Sequence, residues 1–215
     1  MTLYRGNQFI RDTVTHGVYH GSTPIKEIYK GSELVYQWHP YNPGTLIYNI
    51  TGEATRTINL PFGVYRLDIT GGGGNYHGPW AAGGYYFWAT GGSGATFEGL
   101  IYLPNGGSMV LYAGGNVQES YVNFNGSRLI TAGNGTSGRT AHAGEGGTLT
   151  RNTLSGIQYL TVYKSVDGND GKVTPSGTAS GAESTSSYGW GMGQYTTTGK
   201  IQQGGFRLEF IRRKP

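Results

Sequence analysis

Glycine constrains this chain more than any other residue, because its forty copies gather into tracts that divide a series of short alternating segments. The tract from 71 to 94 holds ten glycines and six aromatic residues. A second, from 132 to 147, is small and polar, and a third, from 167 to 205, is rich in serine and threonine. Between them lie segments of period two. Tyr65, Leu67 and Ile69 alternate with Arg66, Asp68 and Thr70, and Phe206, Leu208 and Phe210 face one way near the end of the chain. Such alternation marks half-buried strands. Further strands are expected at 57–60, 95–103, 109–112, 121–124, 128–131 and 159–163, and no window sustains a helical period. The expected fold class is all-β: a glycine-rich β-sandwich over residues 43–215, with long glycine and aromatic loops.

Loops of this length are uncommon in compact domains and are usually functional or disordered. The 17 Tyr, 7 Phe and 4 Trp of the chain supply apolar surface that disordered sequences lack, so ordered loops are expected. Glycine also lets polyproline-II backbones pack closely. The glycines here keep no strict triplet period, so any bundle of that kind should be short.

Residues 1–42 form a separate segment carrying a small repeat. Leu3-Tyr4-Arg5-Gly6-Asn7, Val18-Tyr19-His20-Gly21-Ser22 and Ile28-Tyr29-Lys30-Gly31-Ser32 share the order apolar, Tyr, basic, Gly, Asn or Ser. Each reads as a strand entering a hairpin turn. A segment of two or three such hairpins is too small to stand alone and is expected to pack on a partner or on the main domain. Pro40 to Gly44 then punctuates the chain as a turn.

Charge is sparse, at 13% of residues, and much of the net +4 sits at Arg207, Arg212, Arg213 and Lys214. That is too thin for a nucleic-acid footprint, and no nucleic-acid partner is expected. The absence of cysteine removes disulfides and thiolate metal sites, leaving packing, hydrogen bonds or oligomerisation to stiffen the chain. No run of 18 apolar residues and no secretory h-region is present, so neither membrane insertion nor secretion by a signal peptide is expected.

Nothing in the pattern of titratable groups points to catalysis. The 12 acids are dispersed, and His16, His20, His39, His77 and His142 lack metal-ligand spacing, so neither a catalytic set, a metal site nor a cofactor is expected. Surface or turn roles suit these histidines, His77 excepted, since it lies among aromatics and could hydrogen-bond a ligand. Asp167-Gly168-Asn169-Asp170-Gly171 lacks the twelfth-position Glu of a calcium loop and reads as a tight turn. Binding has better candidates: Tyr76, His77, Trp80, Tyr85, Tyr86 and Trp88 in the first tract, and Tyr188, Trp190 and Tyr195 in the third. Rigid aromatic rings give large contact area at low entropy cost, and Tyr and Trp add a polar edge. Adjacent residues of an extended run face opposite ways, so Tyr85 to Trp88 cannot all bury on one side, and Phe87 with one neighbour is expected inside. For Tyr86, Trp88 and Trp190, exposure and burial in a cluster under the loops are equally open.

The run from Thr57 to Gly74, TINLPFGVYRLDITGGGG, resembles the glycine-rich domains of bacteriophage tail-fibre and tail-tip proteins, in which a strand, a Pro-x-Gly-Val turn and a second strand lead into a glycine tract. The resemblance continues through Gly91 to Gly99, Pro104 to Val110 and Gly204 to Phe210. Ile25 to Tyr36 is similar to N-terminal segments of phage and prophage structural proteins. The glycine loops are less regular than the parallel motifs of T-even-type distal adhesins. The resemblance implies a virion tail protein assembled in a bacterial cytoplasm, held to other virion proteins through residues 1–42. It implies binding of a host cell-surface glycan or envelope protein through the glycine loops, and a homo-oligomer, with a trimer among the options. The alternatives are a purely structural virion subunit (head fibre, decoration or tail assembly) and a glycine-rich lectin or ice-binding protein unconnected with phage; the threonines do not recur as an ice-binding row would.

Overall fold

A computed structural model describes residues 3–5, 8–10, 19–20, 23–25, 27–175, 182–188, 190–193 and 202–215. Among the described residues there is no helix. Three hairpins come first: β1 (Leu3–Arg5) with β2 (Gln8–Ile10), β3 (Tyr19–His20) with β4 (Thr23–Pro24), and β5 (Glu27–Lys30) with β6 (Glu33–Gln37). Gly31 turns the third at φ 64°, as the repeat requires. The main domain continues with β7 (Thr45–Thr51), β8 (Ala54–Leu60), β9 (Gly63–Thr70), β10 (His77–Ala82), β11 (Tyr85–Ala89) and β12 (Thr96–Leu103). After these come β13 (Gly107–Ala113), β14 (Ser120–Phe124), β15 (Ser127–Ala132), β16 (Leu149–Arg151), β17 (Gln158–Val166), β18 (Val173–Pro175) and β19 (Gly205–Arg212).

Two five-stranded antiparallel sheets, ordered β17-β12-β9-β19-β7 and β16-β15-β14-β13-β8, pack as a β-sandwich. The alternating residues decide which faces meet. Tyr65, Leu67, Ile69, Phe97, Phe206, Leu208 and Phe210 from the first sheet share one core with Met109, Leu111, Val122, Phe124 and Ile130 from the second. Each large side chain so buried contributes roughly 1.5–3 kcal/mol. All eight expected strands are present. β7, an edge strand whose Ile47, Tyr48 and Ile50 pack against the core while Leu46, Asn49 and Thr51 are exposed, is an addition, as are the short β16 and β18 and the β10–β11 hairpin inside the first glycine tract.

The connections are strongly asymmetric. At one end of the sandwich the chain turns between strands within a few residues, at 61–62, 104–106 and 125–126. The long tracts 71–95, 133–148 and 167–204 all leave from the other end, joined by the shorter 114–119. Thr45 pairs with Phe210 and Thr51 with Gly205, so the chain enters β7 at the short-turn end. There His39 is buried, at 5% exposure, and stacks on Phe210 with ring centroids 4.0 Å apart. Its Nδ1 accepts from the Tyr41 amide (3.1 Å), which places the proton on Nε2, donating to the Phe62 carbonyl (2.9 Å). Burial lowers its pKa and keeps the ring neutral. The surface role expected of His39 is therefore corrected: it is a packed joint at the entry to the sandwich.

Beyond the strand ends, the glycine tracts bond to one another. Gly71 N–H donates to Ala95, Gly72 to Gln118, Gly73 to Gln202 and Gly74 to Gly92, over 2.7–3.1 Å. Three consecutive amides thus serve three separated stretches of chain, and the fourth returns to the neighbour of the first. The opposing segment does the same: Thr90 and Ser93 donate to Lys172 and Asn169, while Gly92 and Ala95 donate to Thr136 and Gly133. A β-strand returns to the same partner every second residue; return every third is the period of polyproline II. Gly144 and Gly147, which donate to Thr90 and Ser93, and Gly168 and Gly171, which donate to Gly147 and Gly144, repeat it. The glycines are required by proximity. A Cβ at Gly92 would overlap the Glu145 carbonyl oxygen, and one at Gly74 would overlap that of Thr136.

Replacing Gly92 by Ala is expected to cost about 3 kcal/mol or more, as overpacking against backbone does. A Cβ at Gly115 meets no backbone, only the side-chain ends of Gln118 at 3.3 Å and Glu53 at 3.8 Å, so Gly115→Ala should cost about 1 kcal/mol or less. Denaturant melts of the two variants check the contrast.

Candidate functional site

The glycine bundle carries a projecting hairpin. Gly83 and Gly84, at φ 60° and 83°, form the two-residue turn that requires positive φ at both positions. The turn sets Ala82 opposite Tyr85, Ala81 opposite Tyr86 and Trp80 opposite Phe87, and β18 adds a third strand along β11. Alternation sends Tyr85 and Phe87 to one face and Tyr86 and Trp88 to the other. On the first face Trp80 stacks on Phe87 (5.9 Å between centroids, 25°), and His77 lies 5.9 Å from Trp80. Tyr85 and Tyr86 are 68% and 62% exposed and Tyr76 38%, while Trp80, Phe87 and Trp88 are half-buried. No ring of β11 is fully buried, so Phe87, expected inside, reaches only half-burial.

Beside this hairpin lies a polar cleft of about 400 Å³ lined by Thr136, Ser137, Arg139, His142, Ala143 and Glu145. Its rim is a tight turn closed by Arg139 N–H to the His142 carbonyl (2.8 Å) and the reverse bond (3.0 Å), with Ala141 at φ 63°. His77 Nε2 meets Thr140 Oγ1 at 3.0 Å and joins the turn to the aromatic hairpin. Asp170 and Asp167 each accept a backbone amide, from Gly146 and Leu149, and so tie tracts together.

Tyr188 and Trp190 take a different place. They belong to a strap, residues 182–188 and 190–193, that runs over the outer face of the first sheet and covers a row of charges set by register: Lys164, Glu98, Asp68 and Arg207 on four adjacent strands. Two carboxylates directly opposite are unfavourable unless neutralised. Here Glu98 accepts from Ser187 N–H (2.6 Å) and its hydroxyl (2.7 Å), and Asp68 accepts from the Tyr188 hydroxyl (2.7 Å) and from Arg66 Nε (2.8 Å). Lys164 donates to the Thr185 carbonyl (3.1 Å). Burial raises the Asp68 pKa against these bonds, and burial together with Asp68 pushes the Tyr188 phenol to about 12, so it remains a donor. Trp190, 4% exposed, stacks on Tyr188 (4.6 Å) above Gly205, where a Cβ would come within 2.7 Å of the indole. Both residues therefore fasten the strap, which corrects the expected place of Tyr188 on a binding surface and, of the two options open for Trp190, shows burial. Tyr195 lies outside the described residues.

The tract glycines pack against backbone of neighbouring tracts, whereas Gly83 and Gly84 at the hairpin tip face open space. Six of the residues that the sequence offers as binding candidates lie at this end: Tyr76, His77, Trp80, Tyr85, Tyr86 and Trp88. Sequence reasoning missed the cleft residues Arg139, His142 and Glu145, whose proximity to the hairpin depends on pairing between tracts far apart in sequence.

No family model matches the chain, and no curated protein or solved structure matches it significantly.

Trp190→Ala should lose roughly 3–5 kcal/mol of stability as a buried aromatic does, whereas Tyr85→Ala and Tyr86→Ala should each stay within about 0.5 kcal/mol. Thermal or denaturant unfolding of the three variants reads the difference.

Proposed function

We propose that this chain is a bacteriophage tail protein that binds a host cell-surface component with the end of its glycine bundle. One observation carries the reading: the domain has two chemically different ends. The chain enters β7 at the short-turn end, through the His39 joint, after a segment of hairpins suited to attachment. The opposite end holds every long tract, the aromatic hairpin and the polar cleft. A fibre component needs this division, with a fixed root and a presented tip. The likeness of Thr57–Gly74 to tail-fibre glycine domains supports the same setting. Recognition would use ring stacking and hydrogen bonds, since the hairpin from His77 to Ala89 carries no Asp, Glu, Lys or Arg.

A second reading, a structural virion subunit, is favoured by the edge strand β17, where Val162, Tyr163 and Val166 are 40%, 54% and 41% exposed. An open edge with apolar side chains suits association of copies.

Labelled protein incubated with a panel of bacterial strains separates the two. The tip reading predicts saturable binding to a narrow set of strains, lost on combined alanine substitution of Trp80, Tyr85 and Tyr86 with the fold intact. Binding to no strain by well-folded protein would refute it and favour the structural subunit.

A further inference from the structure

We infer that the cleft between Thr136 and Glu145 and the adjoining aromatic hairpin form one site for an anionic saccharide, a sugar bearing a carboxylate or phosphate. The inference rests on the tip reading above and names the chemistry the tip takes.

Three features converge. First, the turn at 139–142 presents a cation that has no ion-pair partner among the described residues. Arg139 and His142 are bridge partners, so their side chains leave the same side of the turn. Both are exposed, and neither side chain has a hydrogen-bond or ion-pair partner among the described residues. Arg139 shares the cleft with Glu145 yet lies outside ion-pairing distance of it. A guanidinium left open in this way presents a planar fork of donors, the geometry that takes a carboxylate or phosphate through two parallel bonds.

Second, the cleft has the mixed polarity that sugar hydroxyls need. The Glu145 carboxylate is an unengaged acceptor. Ser137 Oγ accepts from Asn75 N–H at 3.1 Å, which leaves its proton free to donate. A volume of about 400 Å³ suits a small ligand, not a protein loop, whose interface would be broad and flat.

Third, the polar groups are joined to a stacking platform. The bond from His77 to Thr140 fixes the cationic turn against β10, and His77, Trp80 and Phe87 form a continuous run of rings from there. The apolar face of a pyranose covers such rings while its acid group reaches Arg139 and its hydroxyls reach Glu145 and Ser137. A neutral sugar would satisfy the rings and leave the guanidinium unused.

The test titrates the whole protein with three oligosaccharides of equal length, a neutral galactose oligomer, its uronate counterpart and a phosphorylated counterpart, by calorimetry at low salt. Either charged form should bind about tenfold or more tighter than the neutral one, since a charge-assisted hydrogen bond is worth roughly 1.5–3 kcal/mol, and the better of the two identifies the acid group. Arg139→Gln should abolish that preference without shifting the thermal midpoint, and Trp80→Ala should weaken all three probes together. Equal binding of neutral and charged forms, or an unchanged preference in R139Q, overturns the anionic-saccharide assignment. Cell attachment by the same preparations separates the failures: attachment that persists in R139Q removes this assignment alone, and absent attachment by the unsubstituted protein removes the tip reading with it.

Discussion

Everything presented at the far end of this molecule depends on backbone amides that return to the same neighbour every third residue. Gly71 to Gly74 spend four successive N–H groups on the 90–95 segment, on Gln118 and on Gln202, and the 90–95 segment spends its own on three further stretches of chain. A sheet satisfies a strand from two sides, whereas a polyproline-II helix has no internal hydrogen bonds and offers donors on three. Several such helices, stripped of side chains at their contacts, satisfy one another. Backbone buried in this way would otherwise leave orphaned donors and acceptors, each costing about 1–3 kcal/mol.

The bundle solves a problem set by the sandwich. Two five-stranded sheets can close their short-turn end with connections of two to six residues, but long tracts emerging together at the other end would be floppy if each stood alone. Mutual hydrogen bonding turns them into a stalk rooted in the strand ends. The strap over Asp68 and Glu98 extends the rooting sideways, since Ser187 and Tyr188 donate hydrogen bonds to carboxylates that would be unfavourable side by side under cover. On such a stalk a hairpin bearing Trp80, Tyr85 and Tyr86 is held in place without a core of its own.

The sandwich was legible in the sequence because its information is local: alternation over 64–70, 95–103 and 205–210 announces both the strand and its inner face. The third N-terminal hairpin was legible for the same reason, through its turn at Gly31, while the turn glycines of the first two repeats, Gly6 and Gly21, lie outside the described residues. β10 and β11 were not, because aromatics on both faces of Tyr85 to Trp88 erase alternation, and only the Gly83-Gly84 turn hints at a hairpin. The bundle could be anticipated in kind from glycine, but not in its pairing, since Gly73 meets Gln202 and Gly92 meets Thr136 across stretches with no shared pattern. Trp190 was equally open to exposure or burial until Gly205 and Tyr188 placed it, and Arg139 gave no local signal at all.

Native-state hydrogen exchange, read residue by residue, tests the mutual bonding of the glycine tracts most directly. The amides of Gly72, Gly73, Gly74, Gly92, Ser93 and Gly94 should exchange as slowly as those of β9 and β12, although none lies in a strand, while Gly83 and Gly84 at the hairpin tip exchange fast. Exchange of the six tract amides at the rate of the tip glycines would contradict the bundle, and with it the claim that this end of the molecule is a rigid platform.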